Sequence, residues 1–209
     1  MTPSGNLIAT PARGTLMGNR GRLHDAARRI VRRVVPSYRA WVTCRLEFRG
    51  RHRPVMAPNR YTELFFLDEA TALAAGHRPC GECRRPDLRR FRTAWLCGNP
   101  ERRVPSDALT EAIDRELDRD RLGAERRSVT YLADLSTLPD GVFVVGMDRD
   151  EALLLWRGAL IPWSPGGYGA PRPRAGDQQV IVLTPSSTVA AIAAGYEPTV
   201  HPTAGATVA

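Results

Sequence analysis

Cys80 and Cys83 stand two residues apart in the run Arg78-Pro79-Cys80-Gly81-Glu82-Cys83. Two thiolates offered by one tight turn make half of a tetrahedral zinc site, because soft sulfur donors suit this ion. The same Cys-x-x-Cys pattern also fits a reduced, metal-free pair with redox chemistry. A zinc held by this pair needs two further donors. Cys44 is the candidate third ligand; its alternative is a small apolar core residue, a role in which free cysteine is at home. The fourth ligand is a choice among Cys97, His52 and His77. Four cysteines in a chain whose first fifteen residues lack a long apolar segment favour metal or buried thiols over disulfides.

The second chemical signal is arginine. All 30 basic residues are arginine, with no lysine, and the formal net charge is +8. A guanidinium forks onto phosphate and stacks on bases, so this excess points to a polyanionic partner such as nucleic acid. The densest clusters are Arg28, Arg29, Arg32 and Arg33, then Arg84, Arg85, Arg89 and Arg90 beside the cysteine pair. These eight are the candidate nucleic-acid contacts. The competing reading is a solvated charged face whose arginines replace lysine for reasons of genome composition, which would explain the residue choice but not the net charge.

The elements that must position these residues follow from hydrophobic period and breakers. Asp68 N-caps a short Ala-rich helix that Gly76 stops. A second helix runs from Pro86 to Leu96 with Leu88, Phe91, Ala94 and Trp95 inward. Upstream, the spacing of Ala26, Ile30, Val31 and Val34 predicts a basic helix over 25–35. Alternation predicts a strand over 39–48 carrying Cys44 on one face with Ala40, Val42, Leu46 and Phe48. A hairpin return at 53–56 and a strand at 61–67 complete this part.

The run Phe66 to Asp87, with EATALAAGHRPCGECRRPD inside it, resembles the second half of the metal-binding domain of the Ada DNA-repair proteins. That pattern is an aromatic-ended strand, a short helix, then Ala-Gly-aromatic-Arg-Pro-Cys-x-x-Cys-x-Pro-Asp. It is carried here by Ala75, Gly76, Arg78, Pro79, Cys80, Cys83, Pro86 and Asp87. His77 fills the aromatic slot, and one extra arginine (Arg84 or Arg85) precedes Pro86. The resemblance implies that Cys80 and Cys83 bind zinc and that the chain works on or near DNA. In that family an upstream hairpin supplies two more cysteines spaced Cys-x-x-x-Cys, one of which accepts a methyl group from DNA phosphotriesters. This chain has Cys44 in the upstream hairpin and no cysteine four positions away.

The remainder reads as a linker at 98–105 and an amphipathic helix from Asp107 to Arg121, capped by Ser106 and ringed by solvated ion pairs. Strands follow over 129–135, 142–147, 152–156 and 180–183, with an aromatic Gly-rich loop at 160–169 and a helix over 184–194. AIAAGYEP at 191–198 repeats the grammar of ALAAGHRP at 72–79, a shared way of ending a helix. The expected class is α+β: a small zinc-binding α/β module followed by a helix and a β-rich C-terminal part. The expected divisions are a flexible arm over 1–20, a basic helix plus zinc module over 21–98, linker and helix over 99–125, a β-rich subdomain over 126–200 and a loose tail over 201–209. Within the arm, Gly18, Asn19 and Gly21 flanked by Arg20 and Arg22 suit either a phosphate-holding loop or an arm packed on the domain.

No Ser-His-Asp order, Walker loop, HExxH motif or dinucleotide fingerprint is present. No apolar run approaches the ~20 residues of a membrane span, and the expected compartment is the cytoplasm. The reading is a zinc-binding, nucleic-acid-associated protein, non-enzymatic in its leading form. One alternative is a DNA repair enzyme with alkyl transfer to a zinc-bound cysteine. Another is a protein-interaction module presenting Trp163 and Tyr168.

Overall fold

A computed structural model of the chain describes all residues except 52–53, 106, 108–109, 124–127, 147–150, 175, 177 and 206–209. It is α+β, with two sheets. The elements are β1 (Leu16–Asn19), β2 (Val42–Arg45), β3 (Leu64–Phe66), α1 (Glu69–Ala74), β4 (Arg78–Pro79), α2 (Arg85–Gly98), α3 (Thr110–Arg121), β5 (Tyr131–Asp134), β6 (Phe143–Gly146), β7 (Ala152–Trp156), β8 (Ala159–Ser164), β9 (Gly167–Tyr168), β10 (Arg172–Pro173), β11 (Gln179–Val182) and α4 (Ser186–Ala193). The smaller sheet runs β3-β1-β2-β4, and the larger runs β10-β8-β7-β6-β11-β5 with β9 paired to β8.

The two sheets meet around α1. All six α1 residues are buried, the polar Glu69 and Thr71 included. One core cluster joins Leu73 of α1 and Phe91 and Trp95 of α2 to Ile113 and Leu117 of α3 and to Val144, Leu155 and Val182 of the larger sheet. A second lies under the smaller sheet, where Leu64 and Phe66 meet Leu23, Ala72 and Ala75. The two Gly-aromatic helix ends close alike. The Gly76 and His77 amides donate to the Leu73 and Ala72 carbonyls, and the Gly195 and Tyr196 amides donate to those of Ile192 and Ala191. Both glycines have positive φ, +79° and +98°, so the echo is capping chemistry.

Several expectations are corrected. The segment 1–20, expected as an arm, contributes to the smaller sheet. Its terminal ammonium donates to the Phe65 carbonyl at 2.8 Å, and its Leu16–Asn19 stretch is an interior strand of the smaller sheet. Gly18 is there for close approach, since a Cβ would stand 2.2 Å from the Phe66 ring. Residues 25–35 form no helix. Leu23 and the 29–32 stretch pair locally, with Asp25 accepting the Arg29 amide and Arg28 at φ +60°. The apolar stripe read there faces solvent, with Ile30 and Val31 exposed, and a short helix without a partner for its apolar face is marginal.

The 39–48 strand forms only over Val42–Arg45, and its core face carries Trp41 and Thr43 rather than Val42 and Cys44. Pro54 to Met56 does not return as a strand. The 160–169 loop is a hairpin of β8 and β9, with Trp163 opposite Tyr168. The tail up to Gly205 is held, with the His201 amide donating to Asp68 at 2.9 Å and Ala204 buried. On α3 the charges are not all solvated, for Asp114, Asp118 and Arg121 are buried; its expected cap, Ser106, lies outside the described residues.

Candidate metal centre

The fold brings Cys44, Cys80 and Cys83 together. Cys44 stands on β2, opposite Met17 of β1. β4 runs parallel to β2 with Pro79 opposite Thr43, and the Cys80 amide donates to the Thr43 carbonyl at 2.9 Å. The chain therefore leaves β4 with Cys80 beside Cys44. Gly81 and Glu82 turn it, the Arg84 amide closes on the Cys80 carbonyl at 3.2 Å, and α2 starts at Arg85 with a proline in its first turn. The three Sγ atoms lie within 4.8 Å of one another. Sulfurs sharing one zinc at about 2.3 Å stand about 4 Å apart, so the group fits a metal with sub-ångström adjustment.

Backbone amides face the sulfurs. Glu82 N–H donates to Cys80 Sγ and Arg45 N–H to Cys83 Sγ, each at 3.4 Å. The hydrogen bond from Cys44, helped by the Cys83 and Glu82 amides, lowers the Cys80 thiol to about 5 against the opposition of burial. Cys44 is pushed up, first by that same bond to Cys80 and then by burial, while burial raises Cys83. The group thus stabilises negative sulfur at one position and keeps its neighbours protonated, protons that a metal displaces.

The scaffold around the turn is built from buried arginines. Arg84, next to Cys83, donates to Glu69 Oε1 at 2.7 Å, to Asp87 Oδ2 at 3.0 Å and to Thr43 Oγ1 at 3.0 Å. Glu69 in turn accepts the Tyr196 hydroxyl at 2.6 Å and the Thr199 amide at 3.0 Å. Arg78 forks onto Asp114 with two bonds of 2.7 Å. The cysteine turn is tied through these to α1, α2, α3 and the C-terminal segment.

The other ligand candidates do not join the group. His77 is buried with its ring 5.1 Å from Trp41 and 4.8 Å from Phe66, its Nδ1 bonded to the Ala75 carbonyl; it packs in the aromatic slot. Cys97 is exposed near the end of α2, outside the cluster. His52 lies outside the described residues. The arginine candidates divide. Arg28, Arg29, Arg32, Arg85, Arg89 and Arg90 are exposed, with Arg29 and Arg90 engaged by Asp25 and Asp87. Arg33 is half-buried on the Ser128 hydroxyl. Arg84 is an internal clamp with 5% of its side chain exposed, not a surface contact. An arginine flanked by like residues in sequence gives no sign that one of them turns inward.

Sequence reasoning missed the cavity that opens beside the sulfurs. Its volume is about 670 Å³, and its lining includes the three cysteines, Met17, Phe48, Phe65 and Arg51. The signal was available in part, since alternation over 16–19 and 64–66 would have set Met17 and Phe65 on the Cys44 face once those strands were paired. No helix among the described residues is long and apolar enough to cross a membrane. The chain matches no family model, no curated protein and no solved structure.

Proposed function

We propose that the chain is a zinc-binding protein that associates with nucleic acid, DNA in the first instance, without catalysing a reaction. The observation that carries the reading is the convergence of the Cys44, Cys80 and Cys83 sulfurs within 4.8 Å. Three thiolate donors with a histidine as the fourth form a donor set that suits zinc among common divalent ions. Bound there, zinc supplies folding energy by cross-linking β2 to the turn before α2. His52 is the proposed fourth ligand, since Cys97 and His77 lie elsewhere.

The nucleic-acid half rests on the net charge of +8 and on the exposed Arg28, Arg29, Arg32, Arg85, Arg89 and Arg90. These suit phosphate contacts, which position a partner without reading its sequence. Alkyl transfer finds less support, because among the described residues no fourth sulfur joins the group.

Two measurements test the reading. Purified protein should carry about one zinc per chain, and Cys80→Ser with Cys83→Ser should release it. Fluorescence anisotropy with labelled DNA at two salt concentrations should show affinity falling steeply as salt rises, because neutralised phosphates release counterions. Unchanged zinc in the double variant defeats the metal assignment; salt-independent binding, or none, defeats the nucleic-acid assignment.

A further inference from the structure

The smaller sheet has one covered face and one open face. Leu64 and Phe66 point into the core. On the opposite face the register sets Phe65 of β3 against Met17 of β1, and Met17 against Cys44 of β2. This row runs from an exposed phenylalanine to the thiolate group. Phe65 is 41% exposed, and Leu46 and Val55 beside the row are 50% and 49% exposed. Together with half-buried Phe48 and Tyr61 they wall the cavity of about 670 Å³, within the usual range of ~300–1,000 Å³ for ligand sites.

The rim of this apolar floor is cationic. Arg45 and Arg51 line it, and the guanidinium groups of Arg49 and Arg51 lie 5.0 and 5.5 Å from the Phe48 ring centroid. The carboxylates in the lining are engaged within the protein. Glu82 pairs with Arg51 at 2.5 Å, and Glu63 accepts the Met56 amide at 2.8 Å. Gly50 sits among the arginines with φ +63° and, among the described residues, no atom within 4 Å of where a Cβ would stand, so a ligand can approach the backbone there.

An occupant complementary to this surface carries a flat aromatic ring for Phe48, Tyr61 and Phe65 and an anion at its edge for Arg45 and Arg49. A hydrocarbon chain would use the floor and make no use of the Arg45 and Arg49 guanidinium groups. A duplex keeps its rings stacked inside and reaches only the rim. We infer that the cavity takes an unstacked base of single-stranded nucleic acid, with the flanking phosphates held by Arg45 and Arg49. The inference rests on the nucleic-acid association proposed above and names its substrate class and its site. Base–aromatic stacking with a basic groove is a sequence-tolerant way of holding a single strand.

The test uses the zinc-loaded full chain and anisotropy with a labelled twelve-nucleotide single strand and a labelled hairpin duplex. Phe65→Ala should weaken single-strand binding roughly ten-fold, within the range for one lost stacking partner, and leave duplex binding unchanged. Phe48→Ala should act in the same direction. Phe65→Trp should keep the affinity, and its indole fluorescence should be quenched on addition of the strand. Zinc content and melting temperature, measured on each variant, separate lost stacking from lost folding. Equal single-strand affinity in wild type, Phe65→Ala and Phe48→Ala overturns the inference while the nucleic-acid reading stands. Binding to neither probe removes that reading and the inference with it. A free nucleoside monophosphate that displaces the strand at equal concentration overturns the assignment to a polymer. An unlabelled apolar peptide doing so assigns the cavity to a protein side chain instead.

Discussion

Arg84 and Glu69 meet at 2.7 Å with side-chain exposures of 5% and 1%. The pair links the residue that follows Cys83 to the first turn of α1, and through Glu69 to Tyr196 and Thr199. Breaking one side of a buried pair leaves the other charge uncompensated, at a cost of about 3–5 kcal/mol. Arg84→Met should therefore lower the chemical-denaturation stability by that amount and weaken zinc retention. Arg85→Met, one residue away on the exposed side, should do neither. Equal effects from the two variants would show that Arg84 is not the clamp.

The cysteines separate by position. Cys44→Ser should reduce zinc content as strongly as Cys80→Ser, because each supplies one of three converging sulfurs. Cys97→Ser should leave it at the wild-type level, since Cys97 is exposed outside the group. Chelation should lower the melting temperature of wild type, because ligation of a site absent from the unfolded chain is folding energy. Loss of zinc in Cys97→Ser with retention in Cys44→Ser would reverse the ligand assignment.

His77 gives a pH dependence with a definite sign. Burial, with Arg20 and Arg121 nearby, pushes its pKa well below 6.5, so the folded state holds it neutral. The unfolded chain binds a proton near 6.5 that the folded chain refuses. Stability from this site is present above about pH 6.5 and is lost as pH falls below it, by up to about 1.4 kcal/mol per pH unit for one proton. His77→Phe keeps a ring between Trp41 and Phe66 and removes the titration. Denaturation midpoints across pH 5 to 7 should slope less in this variant; an unchanged slope assigns the acid sensitivity to other groups.

Much of this was legible because it is written locally. Asp68 accepts the Thr71 amide at 2.8 Å as an N-cap does, Gly76 ends the helix, and Leu88, Phe91, Ala94 and Trp95 are the buried stripe of α2. Cys44 was placed on a strand near the cysteine pair, and it is there. What failed was written non-locally. The 25–35 stretch has helical spacing but no surface to pack on. Cys44 sits on an apolar stripe in sequence, yet β1 inserts beside β2 and the buried side is that of Trp41 and Thr43. Arg84 looks like the exposed Arg85 beside it, and nothing next to Arg78 marks its pairing, until Glu69 and Asp114 arrive from 15 and 36 residues away.

Gly18 ties the fold to the site most directly. It occupies β1 opposite Thr43 on one side and Leu64 on the other, one residue from Met17 in the row that ends at Cys44. A Cβ at Gly18 would stand 2.2 Å from the Phe66 ring, a side chain with no exposed surface. Neither the ring nor the strand can give way without opening the core beneath the sheet, so Gly18→Ala should cost about 1–3 kcal/mol, the usual penalty of overpacking. Because β1 pairs directly with β2, the displacement reaches Cys44, and zinc affinity should fall together with stability. Gly146→Ala is the control. Gly146 also lies on a strand, but among the described residues nothing stands within 4 Å of its Cβ position and its φ is not positive, so alanine should be neutral within about 0.5 kcal/mol. Denaturation and competitive zinc titration on both variants decide the matter. A Gly18→Ala protein as stable as Gly146→Ala and with undiminished zinc affinity would mean that β1 does not support the metal centre.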